Sequence, residues 1–365
     1  MIFSVIFPLL ITATACLSGA VQQGTLHRRT YFYVGQTYVP TGNSTSIAAD
    51  QMYVEHLTPA KITRSLPLLF IHGQGMTGTN WLNTPDGRLG WADYFLSKGY
   101  EIYIVDQVAR ARSPWEPSVD GPLLPTDTVL VESIFTAVER FQLWPQASLH
   151  TQWPGNGSVG DPIFDEFFAS TVPSLATQSE QAEKIKHAGS LLLDKIGPVI
   201  LVTHSQAGQF GWILADSRPH QVKAILALEP SGPPFVNAIV QQGPARAYGL
   251  TDIPVAYKPP ISSASDLHQV VVSEIPGVTC IQQAKPARKL INLVHIPVLA
   301  VTSEASYHAQ YDNCTVRYLR EAGVSVEHVY LSEVGIHGNG HMFFMELNNI
   351  QIADQVVEPW ISEFH

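Results

Sequence analysis

Five short apolar runs constrain the fold of this 365-residue chain more than any other feature: residues 66–71, 101–105, 198–202, 224–228 and 296–301. None alternates strictly between apolar and polar residues, and each has the length of one strand. That is the pattern of strands buried on both faces of a parallel sheet. Segments with helical character, 90–98, 180–195, 209–215 and 314–322, fall between several of them, and 348–364 carries apolar residues at helical spacing. An early strand at 51–56 and a partly alternating one at 324–331 extend the series, while 30–54 reads as extended and turn-rich. Strands alternating with helices predict a mostly parallel, doubly wound α/β sheet. Functional residues in such sheets gather at the carboxyl ends of the strands. His72, Asp106, Ser205, Glu229 and Glu304 all stand at such ends.

Two stretches resist the alternation. Residues 107–197 are rich in proline and aromatic residues, 231–292 are similarly irregular with Pro233-Pro234 and Pro259-Pro260, and insertions of this kind form lids or substrate walls. They are expected to cap one α/β domain spanning 21–365. Residues 1–17 are apolar and uncharged, and Ser18-Gly19-Ala20 offers a small-x-small cleavage site, so 1–20 reads as a secretory signal peptide. The run is shorter than the ~20 residues of a spanning helix, which disfavours a signal anchor, and no other segment is long and apolar enough to cross a membrane. The formal charge of −10, without any block of lysine or arginine, argues against nucleic acid and anionic membrane surfaces as partners. Cys16 would leave with the signal. Cys280 and Cys314 are then expected to pair in an oxidising compartment. Sequons at Asn43, Asn156 and Asn313 are candidate glycosylation sites.

The run 198–202 leads through Thr203-His204 to Ser205, and small residues follow. A serine hydroxyl is a poor nucleophile unless a sharp strand-to-helix turn exposes it and aims the next backbone N–H at a developing oxyanion. Thr203 and Ala207 occupy the glycine positions of the G-x-S-x-G form, so the motif is not strictly met. A base is needed, and His341 follows the last strand in the chain order serine, acid, histidine; His337 competes with it. For the acid, Glu229 and Glu304 each end a strand, and the residues alone leave the choice open. His72-Gly73-Gln74-Gly75 follows a strand, so the N–H groups of Gln74 and Gln206 are candidate oxyanion donors. His72 reads as a hydrogen-bonding support beneath that loop. The loop lacks the lysine and spacing of a phosphate-binding loop. The glycines around His337 and His341 oppose the helix a zinc pair would need, so no metal and no other cofactor is expected.

Many segments between residue 50 and the C-terminus resemble those of one small α/β-hydrolase family. They include Asp50-Gln51-Met52-Tyr53-Val54, Phe70-Ile71-His72-Gly73, Thr84-Pro85-Asp86-Gly87-Arg88-Leu89-Gly90-Trp91, Val105-Asp106-Gln107, His204-Ser205-Gln206, Glu229-Pro230 and His337-Gly338-Asn339-Gly340-His341-Met342. The family comprises exported bacterial and fungal carboxylic ester hydrolases, typified by a bacterial esterase acting on esters of halogenated cyclic compounds. The resemblance implies an α/β-hydrolase fold with Ser205 as nucleophile, Glu229 as acid and His341 as base. It also shows two departures. A tandem Cys-Cys of the prototype's oxyanion loop is Gln74-Gly75 here. Its Asp-Gln-x-Gly-Arg-Gly-Arg-Ser loop is Asp106-Gln107-Val108-Ala109-Arg110-Ala111-Arg112-Ser113, and alanine for both glycines restricts the loop's conformations. The expected activity is secreted cleavage of a small apolar or ring-bearing ester or lactone through an acyl-enzyme. The rival expectations are a secondary-metabolite tailoring reaction on the same fold, such as lactone opening, cyclisation or a lyase step, and a non-catalytic small-molecule-binding protein.

Overall fold

The computed structural model describes residues 23–365, so the expected signal sequence lies outside the described residues. Eight strands form the central sheet: β1 (His27–Val34), β2 (Met52–Pro59), β3 (Leu68–Ile71), β4 (Ile102–Asp106), β5 (Val199–His204), β6 (Val222–Leu228), β7 (Val298–Thr302) and β8 (Val326–Tyr330). Their spatial order is β1-β2-β4-β3-β5-β6-β7-β8. β1 and β2 are antiparallel to their neighbours, and β4, β3, β5, β6, β7 and β8 run parallel. This is the mostly parallel α/β-hydrolase sheet that the resemblance implied.

The apolar runs do not alternate because both faces are covered. Leu201, Ile225 and Val298 enter one core, beneath α3 (Gln178–Ile196) and α4 (Ala207–Ser217). Ile200, Val202, Leu226 and Leu299 enter the other, against α1 (Trp91–Ser97) and the C-terminal helical turns. Each such side chain taken from water contributes about 1.5–3 kcal/mol, which drives both layers onto the sheet.

The register then sets the site. Leu228 pairs with His204 and with Val301, and Ile71 pairs with Thr203. The residues that follow, His72, Ser205, Glu229 and the segment beyond Thr302, therefore emerge side by side at one edge. Between β4 and α3 the chain forms short helical turns and α2 (Pro162–Ala169), and between β6 and β7 it forms small hairpins, one of them Gln269–Ile275 with Val278–Gln283. A Cys280–Cys314 disulfide, Cα to Cα 5.8 Å, ties that hairpin to α5 (Asp312–Glu321). Trp144, Trp153 and Phe167 of the first insertion are buried, so these aromatics mostly build core rather than line an opening. Asn43, Asn156 and Asn313 are exposed. No helix among the described residues is long and apolar enough to cross a membrane.

The loop after β4 holds Ala109 and Ala111 at φ +60° and +49°. The left-handed region costs a residue with a β-carbon roughly 1–2 kcal/mol. Ala111 is exposed, so its methyl offsets little of this by burial. Ala111→Gly is expected to raise stability by about 0.5–1 kcal/mol, the relief of strain exceeding the added entropy of the unfolded chain. An unchanged or lower midpoint in urea unfolding would contradict that strain.

Candidate active site

Ser205 sits between β5 and α4 at φ +55°, a strained turn that pushes its side chain out of the strand line. Bonds from Ser205 N–H to the Leu228 carbonyl, 3.1 Å, and from Ser231 and Gly208 N–H to the Ser205 carbonyl, 2.9 and 2.8 Å, hold it there. The departures from G-x-S-x-G have a packing explanation. Thr203 fits because Gly211 of α4 faces it, where a β-carbon would lie 3.1 Å from the Thr203 methyl. The closest approach falls at Gly208, whose β-carbon would stand 2.4 Å from that of Pro230. Small residues are needed, but one residue and one turn beyond Ala207, at Gly208 and Gly211.

Glu229, also left-handed at φ +44°, ends β6 fully buried. Its Oε1 accepts from the Ser303 N–H and hydroxyl at 2.8 and 2.6 Å, and its Oε2 from the Ser306 hydroxyl at 2.7 Å and from His341 Nδ1 at 2.5 Å. Burial pushes the carboxyl upward and these donors work against it. The His341 ring is likewise buried. Burial, then the neighbouring His308, hold its imidazole well below the ordinary histidine value, so it is neutral and able to accept a proton at Nε2. The Tyr307 hydroxyl lies 3.5 Å from that Nε2 and within electrostatic reach of the Ser205 hydroxyl, so serine and imidazole flank one phenol oxygen.

The other two candidates of the sequence come together elsewhere. His337 Nδ1 bonds Glu304 Oε1 at 3.0 Å, and Glu304 Oε2 accepts from Gly338 N–H at 2.9 Å. The His337 ring is 62% exposed, against 0% for His341. The pair ties the loop that carries His341 to the end of β7. Gln74 is exposed on the loop after β3, and Gln206 lies beneath the elbow.

Sequence reasoning missed several partners. Tyr307 and His308 follow β7, where the rule of strand carboxyl ends would have pointed. His308 stacks on His341 at 4.8 Å, with its Nδ1 on Asp312 at 2.8 Å and its Nε2 hydrogen-bonded to the Tyr311 hydroxyl at 3.0 Å. Donor atoms of Glu229, His308 and His341 lie within 4.8 Å of one another; Glu229 Oε2 and His341 Nδ1 bond each other, and the His308 ring nitrogens bond Asp312 and Tyr311. Phe135 stacks on the outer face of the site, its ring 5.2 Å from that of His341.

The loop bearing His341 rests on a second buried pair. Glu346 accepts from Gly340 N–H at 3.0 Å and from Asn339 at 2.8 Å, and bonds His150 Nε2 at 2.8 Å. Burial alone would lower the His150 pKa, but the Glu346 and Glu139 carboxylates overcome it and raise it from 6.5 to about 9. Charged His150 therefore contributes about 3 kcal/mol, fully present below pH 6.5 and lost as pH rises through 9. The melting temperature of the wild type should fall over that window, while that of His150→Gln changes far less; parallel profiles would refute the pair's role.

A probable secreted lipase, phiG, of a fungus (Fungal sp. strain ATCC 74256) is 48% identical to this chain over 336 residues, covering 91% of this chain and 89% of the relative. A solved structure described as a novel bacterial esterase superposes with a TM-score of 0.60 at 22% identity, covering 98% of this chain and 99% of that one. It shows the same fold. No family model matches the chain. Sequence identity along nearly the whole length, on this sheet and elbow, establishes that the chain belongs to the family of secreted, lipase-like α/β-hydrolases.

Proposed function

We propose that the protein hydrolyses a carboxylic ester or lactone through an acyl-enzyme on Ser205. His341 Nε2 takes the hydroxyl proton as Ser205 attacks the carbonyl carbon, and returns it to the leaving alkoxide. Glu229 holds Nδ1–H, which keeps the lone pair on Nε2 and offsets the charge of the imidazolium. The N–H groups of Gln74 and Gln206 receive the oxyanion, each donor worth roughly 3 kcal/mol. Water, deprotonated by the same imidazole, then releases the acid. Tyr307 stays protonated, because burial raises its phenol, and so acts only as a donor beside the reacting oxygens. The relative's description as a lipase, and the Phe135 ring over His341, favour an apolar acyl or alcohol group.

The observation that carries this reading is the buried Glu229–His341 pair, 2.5 Å apart, beside a serine held in the left-handed region. Turnover of p-nitrophenyl esters of graded chain length tests it. The wild type should release nitrophenol and Ser205→Ala should not; equal rates in the two proteins would refute it.

A further inference from the structure

Arg110 carries a full charge beneath the site yet is only 2% exposed. Its Nη1 donates to the Gly73 carbonyl at 2.9 Å, and Nη1 and Nη2 both reach Gln206 Oε1 at 3.4 Å. His72 Nδ1–H donates a second bond to the same carbonyl, 2.9 Å. The tautomer follows from the other nitrogen: Nε2 accepts from Gln107 N–H at 3.1 Å, so the proton sits on Nδ1. Gln107 closes the ring of contacts by donating its amide to the His72 carbonyl, 2.6 Å. Burial lowers the Arg110 pKa to about 9, which leaves it charged at neutral pH.

The Gly73 carbonyl and the Gln74 N–H belong to one peptide unit. In a trans peptide they point in opposite directions, and the unit is planar. Two donors on the carbonyl oxygen therefore fix where the N–H points. The far side of Gly73 faces the nucleophile, because a β-carbon there would lie 3.0 Å from Ser205 Cβ. Neither Gln74 N–H nor Gln206 N–H has a hydrogen-bond partner among the described residues, so both are free to receive a ligand. Arg110 itself is held between Ala109 and Ala111, the two left-handed alanines. That backbone is strained on both sides of a residue whose guanidinium hydrogen-bonds both oxyanion segments.

We infer that Arg110 is a positioning residue for the oxyanion site: its guanidinium clamps the Gly73–Gln74 peptide to the Gln206 side chain and holds both free N–H groups over Ser205. A cation on the carbonyl also polarises the peptide, making the Gln74 N–H a stronger donor. The inference rests on the serine-hydrolase reading above.

Arg110→Met and Arg110→Lys test it, assayed on p-nitrophenyl acetate and titrated with a phenylboronic acid, which binds serine as a tetrahedral anion. Arg110→Met keeps the volume without the charge. It should lower kcat about 10–100-fold with KM within about twofold, by analogy with the loss on removing an oxyanion donor. Affinity for the boronic acid should fall by the same factor as kcat/KM. Arg110→Lys restores a charge without the fork and should recover part of the loss. A folded Arg110→Met with wild-type kcat, a change confined to KM, or failure of both variants to fold would overturn the inference, the last by making Arg110 a determinant of folding. A wild type that neither cleaves the ester nor binds the boronic acid would instead overturn the hydrolase reading and this one with it.

Discussion

Replacing His341 with alanine is expected to lower kcat on a simple ester on the order of 10⁶-fold, whereas His337→Ala should stay within about threefold. The two histidines lie four residues apart, and their environments differ completely. His341 is sealed in the core, bonded to Glu229 through Nδ1, with Nε2 facing the phenol that Ser205 also touches. His337 is at the surface, bonded to Glu304. Only the first is buried, with a carboxylate on Nδ1 and its Nε2 turned toward the phenol beside Ser205. Steady-state kcat, normalised to active sites by burst titration, checks the contrast. Comparable losses in both variants, or a larger one at residue 337, would reverse the assignment.

Glu229→Gln should lower kcat on the order of 10⁴-fold, as an amide does behind a catalytic imidazole, while Glu304→Gln costs little activity. The carboxylate accepts at both oxygens, from Ser303 on one side and from Ser306 and His341 on the other. An amide has one accepting oxygen. If its NH2 faces the ring, Nδ1 must accept and the proton moves to Nε2, the nitrogen that should be a base. If the NH2 faces Ser303, it meets the Ser303 N–H, which can only donate. Glu304→Gln keeps an oxygen for Gly338 N–H and should shift only the melting temperature. Rates for the two variants, with circular dichroism to verify folding, decide between the carboxylates.

Much of this architecture was legible because burial on both faces writes itself as unbroken apolar runs. The runs predicted at 198–202, 224–228 and 296–301 became β5, β6 and β7, and the helix expected at 180–195 became α3. Gln269–Ile275 was not foreseen: every residue of that strand is exposed, so no core face imposes a pattern. α2 was missed inside a stretch whose prolines and aromatics read as irregular, although Asp161 caps it and Pro162 opens it. The residues alone did not separate Glu229 from Glu304, since both end strands; the resemblance favoured Glu229, and the register, with Leu228 beside His204, brings it next to the serine. Arg110 was hidden for a different reason. Its partners are a backbone carbonyl and a side-chain oxygen from two other loops, 37 and 96 residues away. The change from glycine to alanine on either side was visible, and it marked the loop where the chain adopts left-handed geometry without glycine.

The most direct measurement is labelling of the purified protein with a fluorophosphonate, followed by peptide mass spectrometry. The account predicts a single adduct per chain on the Ser205 hydroxyl, formed in step with loss of ester turnover and absent from Ser205→Ala. An adduct on another residue that tracks the loss of activity, or full turnover after Ser205 is blocked, would contradict it.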